Sequence, residues 1–172
     1  MRLGKGIDTN TTHGPLVNAA AVTKVEQHVE DALRKGGVLR TGGKRPSGLD
    51  GGFFYEPTVI TGATKDMDVA YDETFGPLAP IFGFRTDEEA LDLANNTEFG
   101  LAGYFFSQDL NRVFRVAGAL QVGMIGVNTG LISAAETPFG GIKESGIGRE
   151  GSKYGLAEYQ NIKAVTLGNV GK

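Results

Sequence analysis

The chain has 172 residues, 40% hydrophobic and 22% charged, a balance ordinary for a folded globular protein and unlike a disordered or fibrous one. A net charge of -3 with interspersed signs offers no basic stripe to meet phosphates, so nucleic acid is not an expected partner. With no cysteine and only two histidines, His13 and His28, disulfides, thiolate chemistry and a zinc site are excluded or very improbable.

No apolar run approaches the roughly 20 residues of a membrane helix, and the start MRLGKGIDTN lacks the apolar centre of a signal peptide, so no membrane partner and a cytoplasmic location are expected. From Asn18 onward, Val22, Val25, Val29, Ala32 and Leu33 recur at helical spacing until Gly36 and Gly37, which predicts a helix over about 18–35. Val38–Thr41 reads as a short strand and 42–52 as loop. Phe53–Ile60 is aromatic and β-branched, but Pro57 lacks a ladder donor, which favours an edge or interrupted strand. Leu78–Phe84 is a further apolar run.

In TDEEALDLANN, Thr86 and Glu89 fit a capping box, and Ala90, Leu91 and Ala94 form an apolar stripe, so a helix starts there. Leu101–Phe106 reads as a strand, Asp109–Leu120 as a helix with Leu110, Val113, Phe114 and Ala117 inward, and Val122–Val127 as another strand. A short helix near Ser152–Tyr159 and a strand Ile162–Leu167 follow. Strands alternating with helices imply an α/β class, a mostly parallel sheet covered by helices, joined by right-handed crossovers. Between Asn128 and Gly151 the pattern dissolves into a long glycine-rich stretch, and such loops are usually functional.

Within that stretch GIGREG, with Gly146, Gly148 and Gly151, matches the dinucleotide fingerprint by letter. A loop precedes it, however, and no acidic residue follows Glu158 to meet a ribose, so a Rossmann turn is not expected. The larger segment PFGGIKESGIGREG, Pro138–Gly151, resembles the PFGG-x-K-x-SG-x-GRE-G signature of aldehyde dehydrogenases. DETFGP, Asp72–Pro77, resembles the E-x-F-G-P motif of the same family, and EEALDLANNTEFGLAGYFFSQD its following helix and strand. His13-Gly14-Pro15-Leu16 fits the family's entry into a helix, while GLISAAETPFGG and GREGSKYGLAEYQNIK look closest to the succinate-semialdehyde branch.

The resemblance implies that Glu73 accepts hydrogen bonds from the nicotinamide ribose hydroxyls, a task suited to an acceptor-only carboxylate, with Phe75 against the same ribose. The competing reading makes Glu73 part of a solvated acidic run with Asp66, Asp68 and Asp72, and Phe75 core. Ser133 corresponds to a serine that hydrogen-bonds the substrate carboxylate, and Phe139 to an aromatic lining the aldehyde pocket. A loop serine satisfying its own backbone and a core phenylalanine remain the alternatives. Arg85, Lys143 and Arg149 read as surface charges rather than a substrate clamp.

The complete enzymes of this family, as the resemblance implies, oxidise an aldehyde with NAD or NADP as hydride acceptor, through attack by a cysteine thiolate and hydrolysis of a thioester with a glutamate base. Nucleophile, base, dinucleotide-binding domain and substrate arginines would lie upstream of residue 1, so the chain alone is expected to be inactive and to bind NAD(P) weakly or not at all. Residues 1–160 would be a partial catalytic domain of aldehyde-dehydrogenase type, and 161–172 a carboxy-terminal strand of the oligomerisation layer. Expected partners are a small aldehyde in the complete enzyme and either further copies or the missing amino-terminal part. A non-enzymatic interaction module is the alternative.

Overall fold

Asn18 opens the first helix, α1 (Ala19–Arg34), its side chain accepting the Ala21 N–H at 2.9 Å. Gly36 ends it with a left-handed φ of 94°, beyond the cap at Lys35. The computed structural model describes residues 1–49 and 51–171, which divide into two units, Met1–Arg85 and Thr86–Lys172. In the first unit, α1 is followed by β1 (Val38–Thr41), β2 (Thr58–Ala63) and β3 (Leu78–Phe82), in sheet order β1-β2-β3. β1 runs antiparallel to β2, with Leu39 opposite Ile60, and β2 runs parallel to β3, with Ile60 opposite Pro80.

The strand expected over Phe53–Ile60 starts instead at Thr58 and is the central strand of its sheet. Pro57 stands just ahead of the ladder, where its missing N–H is not needed, and Pro80 takes the edge position on β3. Val22, Val25, Val29 and Ala32 of α1 pack with Tyr55, Ile60, Ala63 and Met67 into one buried cluster. Leu33, next to that stripe rather than in it, stays partly exposed.

The second unit contains α2 (Asp87–Asn95), β4 (Ala102–Phe105), α3 (Leu110–Ala119) and β5 (Met124–Val127). β4 and β5 pair in parallel, Ala102 opposite Met124 through Phe105 opposite Val127, and α3 supplies the crossover that parallel strands need. Thr86 caps α2 by accepting the Glu89 N–H at 3.2 Å, and Asp109 caps α3 by accepting from Asn111 and Arg112. Arg112 and Arg115 of α3 both reach Asp87 at the start of α2, at 2.9 and 2.6 Å.

Leu110 and Phe114, expected inward, are exposed, and so is Ala94 of α2. The α3 stripe has the right spacing, but no described element of its unit lies over those two side chains. The short helix near the end forms as a 3-10 turn over Gly155–Tyr159. Ile162–Leu167, expected as a strand, pairs with no described residue. The fold is α/β, but the strands form two sheets and not one, and among the described residues two of the three strand pairings are parallel.

Candidate functional site

The polar side chains of α1 form a stripe of their own beside the apolar one. Lys24, His28, Asp31 and Lys35 recur at steps of four, three and four, which places them on one helix face. That face grips the segment Asp68–Gly76. Lys35 Nζ reaches Asp68 at 3.0 Å, and the Asp68 N–H donates to Asp31 at 2.9 Å. Lys24 Nζ reaches Asp72 at 2.8 Å.

Buried His28 lies between two residues of the same loop. Nδ1 is 2.9 Å from Thr74 Oγ1 and Nε2 is 3.3 Å from Asp72 Oδ2. A carboxylate only accepts, so the Nε2–H donates to Asp72 and, in the neutral ring, Nδ1 accepts from the Thr74 hydroxyl. The hydrogen bond from Lys24, then that from His28, holds the Asp72 carboxyl below the usual carboxylate range. Gly76 completes the contact, because a Cβ there would collide with the Val25 side chain.

Residues 72, 74 and 76 thus face α1, and the two between them do not. Glu73 is exposed and makes no side-chain hydrogen bond or ion pair with any described residue. Phe75 is 83% exposed and holds φ at 49°, a left-handed conformation that is an outlier for a bulky side chain and costs about 1–3 kcal/mol. Phe75 is therefore not a core residue of its unit. Asp66, Asp68, Asp72 and Glu73 are all exposed, so the acidic run is solvated, although Asp68 and Asp72 also pair with lysines of α1.

In the second unit, the long loop after β5 folds back on itself. Phe139 and Glu150 form an antiparallel bridge, with both N–H groups donating to the opposite carbonyl at 2.8 and 2.7 Å. Arg149 Nη1 donates to the carbonyls of Gly141 and Gly148 at 2.7 Å each, and Lys143 Nζ to those of Asn95 and Thr97. Both cations are anchored on backbone carbonyls, Arg149 half-buried and Lys143 still exposed. The Gly140 carbonyl approaches Gly123 so closely that a Cβ there would overlap it. GIGREG lies between two 3-10 turns, not between a strand and an α-helix, so it is not a dinucleotide turn.

Ser133 and Phe139 belong to this loop but line separate cavities. Ser133 lines one of about 360 Å³ with Thr129, Leu131, Thr137 and Pro138. Its hydroxyl is exposed and bonds to no described residue, whereas the neighbouring Thr137 hydroxyl donates to the Ala134 carbonyl. Half-buried Phe139 lines one of about 620 Å³ with Arg149, Glu158 and Tyr159. Among the described residues no group of three acidic, cysteine or histidine side chains could hold a metal ion, and no helix is long and apolar enough to cross a membrane.

His28 is the residue that motif reading misses, since its partners lie 44 and 46 positions away. The available signal was the spacing of Lys24, His28, Asp31 and Lys35 beside the apolar stripe, which marks a polar helix face with something to hold.

Residues 1–165 match the aldehyde dehydrogenase family, and the chain belongs to that family. Over 166 residues it is 56% identical to succinate-semialdehyde dehydrogenase [NADP(+)] 1 of Schizosaccharomyces pombe, covering 96% of this chain and 33% of that protein. It is 54% identical to 3-sulfolactaldehyde dehydrogenase of Pseudomonas putida, covering 99% and 35%. The crystal structure of succinate-semialdehyde dehydrogenase from Burkholderia pseudomallei superposes with a TM-score of 0.89 at 58% identity, over 92% of this chain and 33% of that one. The chain spans about a third of the length of the curated relatives it matches.

Proposed function

We propose that these 172 residues contribute to the cofactor and substrate sites of an oxidoreductase that oxidises succinate semialdehyde, or a similar aldehyde with an anionic tail, using NAD or NADP. The observation that carries this is the Asp72–Gly76 loop. It is fastened to α1 at alternate positions and leaves Glu73 and Phe75 exposed, Phe75 in a costly conformation with no packing of its own to explain it.

Glu73 suits paired ribose hydroxyls because it offers only acceptors and has no described protein donor. Phe75 offers an apolar face beside it. Ser133, with a hydroxyl not bonded to its own loop, suits the substrate's anionic end, and Phe139 suits the aldehyde's carbon chain. Two relatives are named for succinate semialdehyde and 3-sulfolactaldehyde, both aldehydes with an acidic tail, which supports that substrate class.

With no cysteine among its residues, the chain by itself has no thiolate to attack an aldehyde, and on this reading it is inactive alone. The test is a hybrid carrying these residues after the amino-terminal part of the S. pombe relative. It is expected to form NADPH from succinate semialdehyde, while the 172 residues alone form none. Glu73→Gln should raise the KM for NADP in the hybrid about tenfold, the effect of weakening a charge-assisted hydrogen bond. A folded hybrid without activity sinks the proposal.

A second reading, a module that joins subunits, is favoured by Ile162, Val165 and Leu167, which are exposed in a segment with no described ladder partner. Sedimentation of the chain as a monomer that does not join a full-length relative would remove it.

A further inference from the structure

We propose that His28 is a positioning residue for the cofactor, acting through the loop that carries Glu73 and Phe75, an inference that rests on the ribose reading above. His28 is 4% exposed, yet its ring is not packing filler. Each ring nitrogen has a different partner, Thr74 at 2.9 Å and Asp72 at 3.3 Å, and these are the two residues that flank Glu73. One rigid ring therefore fixes the chain on both sides of a single exposed carboxylate.

The neighbouring side chains indicate why a histidine stands there. Lys24 also holds Asp72, at 2.8 Å, but its flexible stem reaches one residue and cannot accept from a hydroxyl. In its neutral form an imidazole donates at one end and accepts at the other, at a fixed separation. Lys35 and Asp31 anchor the same segment further back, at Asp68, so that of these side chains His28 is the one that reaches both neighbours of Glu73. Glu73 has no described partner of its own, so the backbone between Asp72 and Thr74 sets where its side chain starts and which rotamers reach the cofactor.

Loosening that backbone leaves Glu73 chemically intact but spreads it over several directions, and the cofactor must then be bound by the fraction that is correctly aimed. The expected signature is a rise in the KM for NADP with little change in kcat or in the KM for the aldehyde.

The experiment uses the active hybrid enzyme with NADP as the probe. His28→Ala is expected to raise the KM for NADP about five- to tenfold, and Thr74→Val about threefold, with kcat and the aldehyde KM held within about twofold. Thr74→Ser, which keeps the hydroxyl, should restore the parent value. Combining His28→Ala with Glu73→Gln should add little to Glu73→Gln alone, because both remove the same interaction.

If Glu73→Gln raises the KM while the His28 and Thr74 variants do not, the positioning role is overturned and the ribose reading stands. If Glu73→Gln itself leaves the KM unchanged, the ribose reading fails and this inference with it. A fall in kcat at constant KM in both His28→Ala and Thr74→Val would mark a merely structural histidine and also overturn the proposal.

Discussion

The two units are built from the same kinds of element, yet they bury their side chains very differently. In the first, a valine stripe on α1 meets a three-stranded sheet, and eight residues close into a core around Ile60. In the second, Met124 is the only large hydrophobic side chain buried among the described residues, while Phe106, Leu110 and Phe114 are exposed. Periodicity is equally clear in α1 and α3, so the difference lies in what opposes each helix. A stripe specifies which face can be buried, and an opposing layer decides whether it is. The apolar face left on α3 is of the kind that meets another surface.

The sharpest way to break this comparison is to shorten one side chain in each unit. Ile60→Ala should cost about 2–5 kcal/mol in urea unfolding, because it opens a cavity in a closed core. Phe114→Ala, at a side chain 72% exposed, should change stability by less than about 0.5 kcal/mol despite removing more atoms. Equal losses would mean that the second unit has a core after all.

Local terms should not distinguish the units. Asn18 and Thr86 cap their helices with the same geometry, at 2.9 and 3.2 Å, so Asn18→Ala and Thr86→Ala should each cost about 1 kcal/mol. Similar losses at the caps beside unequal losses at Ile60 and Phe114 would assign the contrast to packing alone.

A smaller effect is expected from pH, since each unit holds a carboxyl lowered by hydrogen bonds, Asp31 in the first and Asp87 in the second. The hydrogen bond from Lys35, then the Asp68 N–H, holds the Asp31 carboxyl down from 3.8 to about 2. A carboxyl lowered in the folded state stabilises it fully above the unfolded value and loses that contribution as pH falls through the folded one. The first unit should therefore lose stability between about pH 4 and pH 2, and Asp31→Asn should flatten that part of the profile. Circular dichroism during acid titration of the two proteins tests it, and parallel profiles would count against the assignment.

Much of this architecture is legible in the residues. The boundaries of α1, β1 and α2 follow from the valine spacing, from the Gly36-Gly37 stop and from the Thr86 cap, all of which are local. β2 was harder, because Pro57 can weaken a strand or simply stand before one, and only the position of its neighbours distinguishes the two. The outward Leu110 and Phe114 and the unpaired Ile162–Leu167 were illegible for a related reason. Burial and pairing depend on atoms far along the chain, and local spacing carries no information about them.

The candidate site was legible only through its motif. DETFGP marks Glu73 and Phe75, but nothing inside those six residues announces that α1 holds their neighbours Asp72 and Thr74 from 44 or more positions away. The polar stripe on α1 was visible as spacing and had no stated partner. Lys143 is the exposed charge that sequence suggests, and Arg149 is half-buried, but the backbone carbonyls that each one binds leave no mark in sequence.

The alternation of the Asp72–Gly76 loop has a consequence for how this segment can vary. Contact with α1 falls at alternate positions and the side chains between them are exposed, so on the proposed cofactor reading the two demands fall on different codons although they share one short stretch of chain. A library covering 72–76 should show a two-residue rhythm in retained stability, low tolerance at 72, 74 and 76 and high tolerance at 73 and 75, with the opposite rhythm in cofactor affinity. Selection could then retune what the loop touches while leaving intact what it stands on.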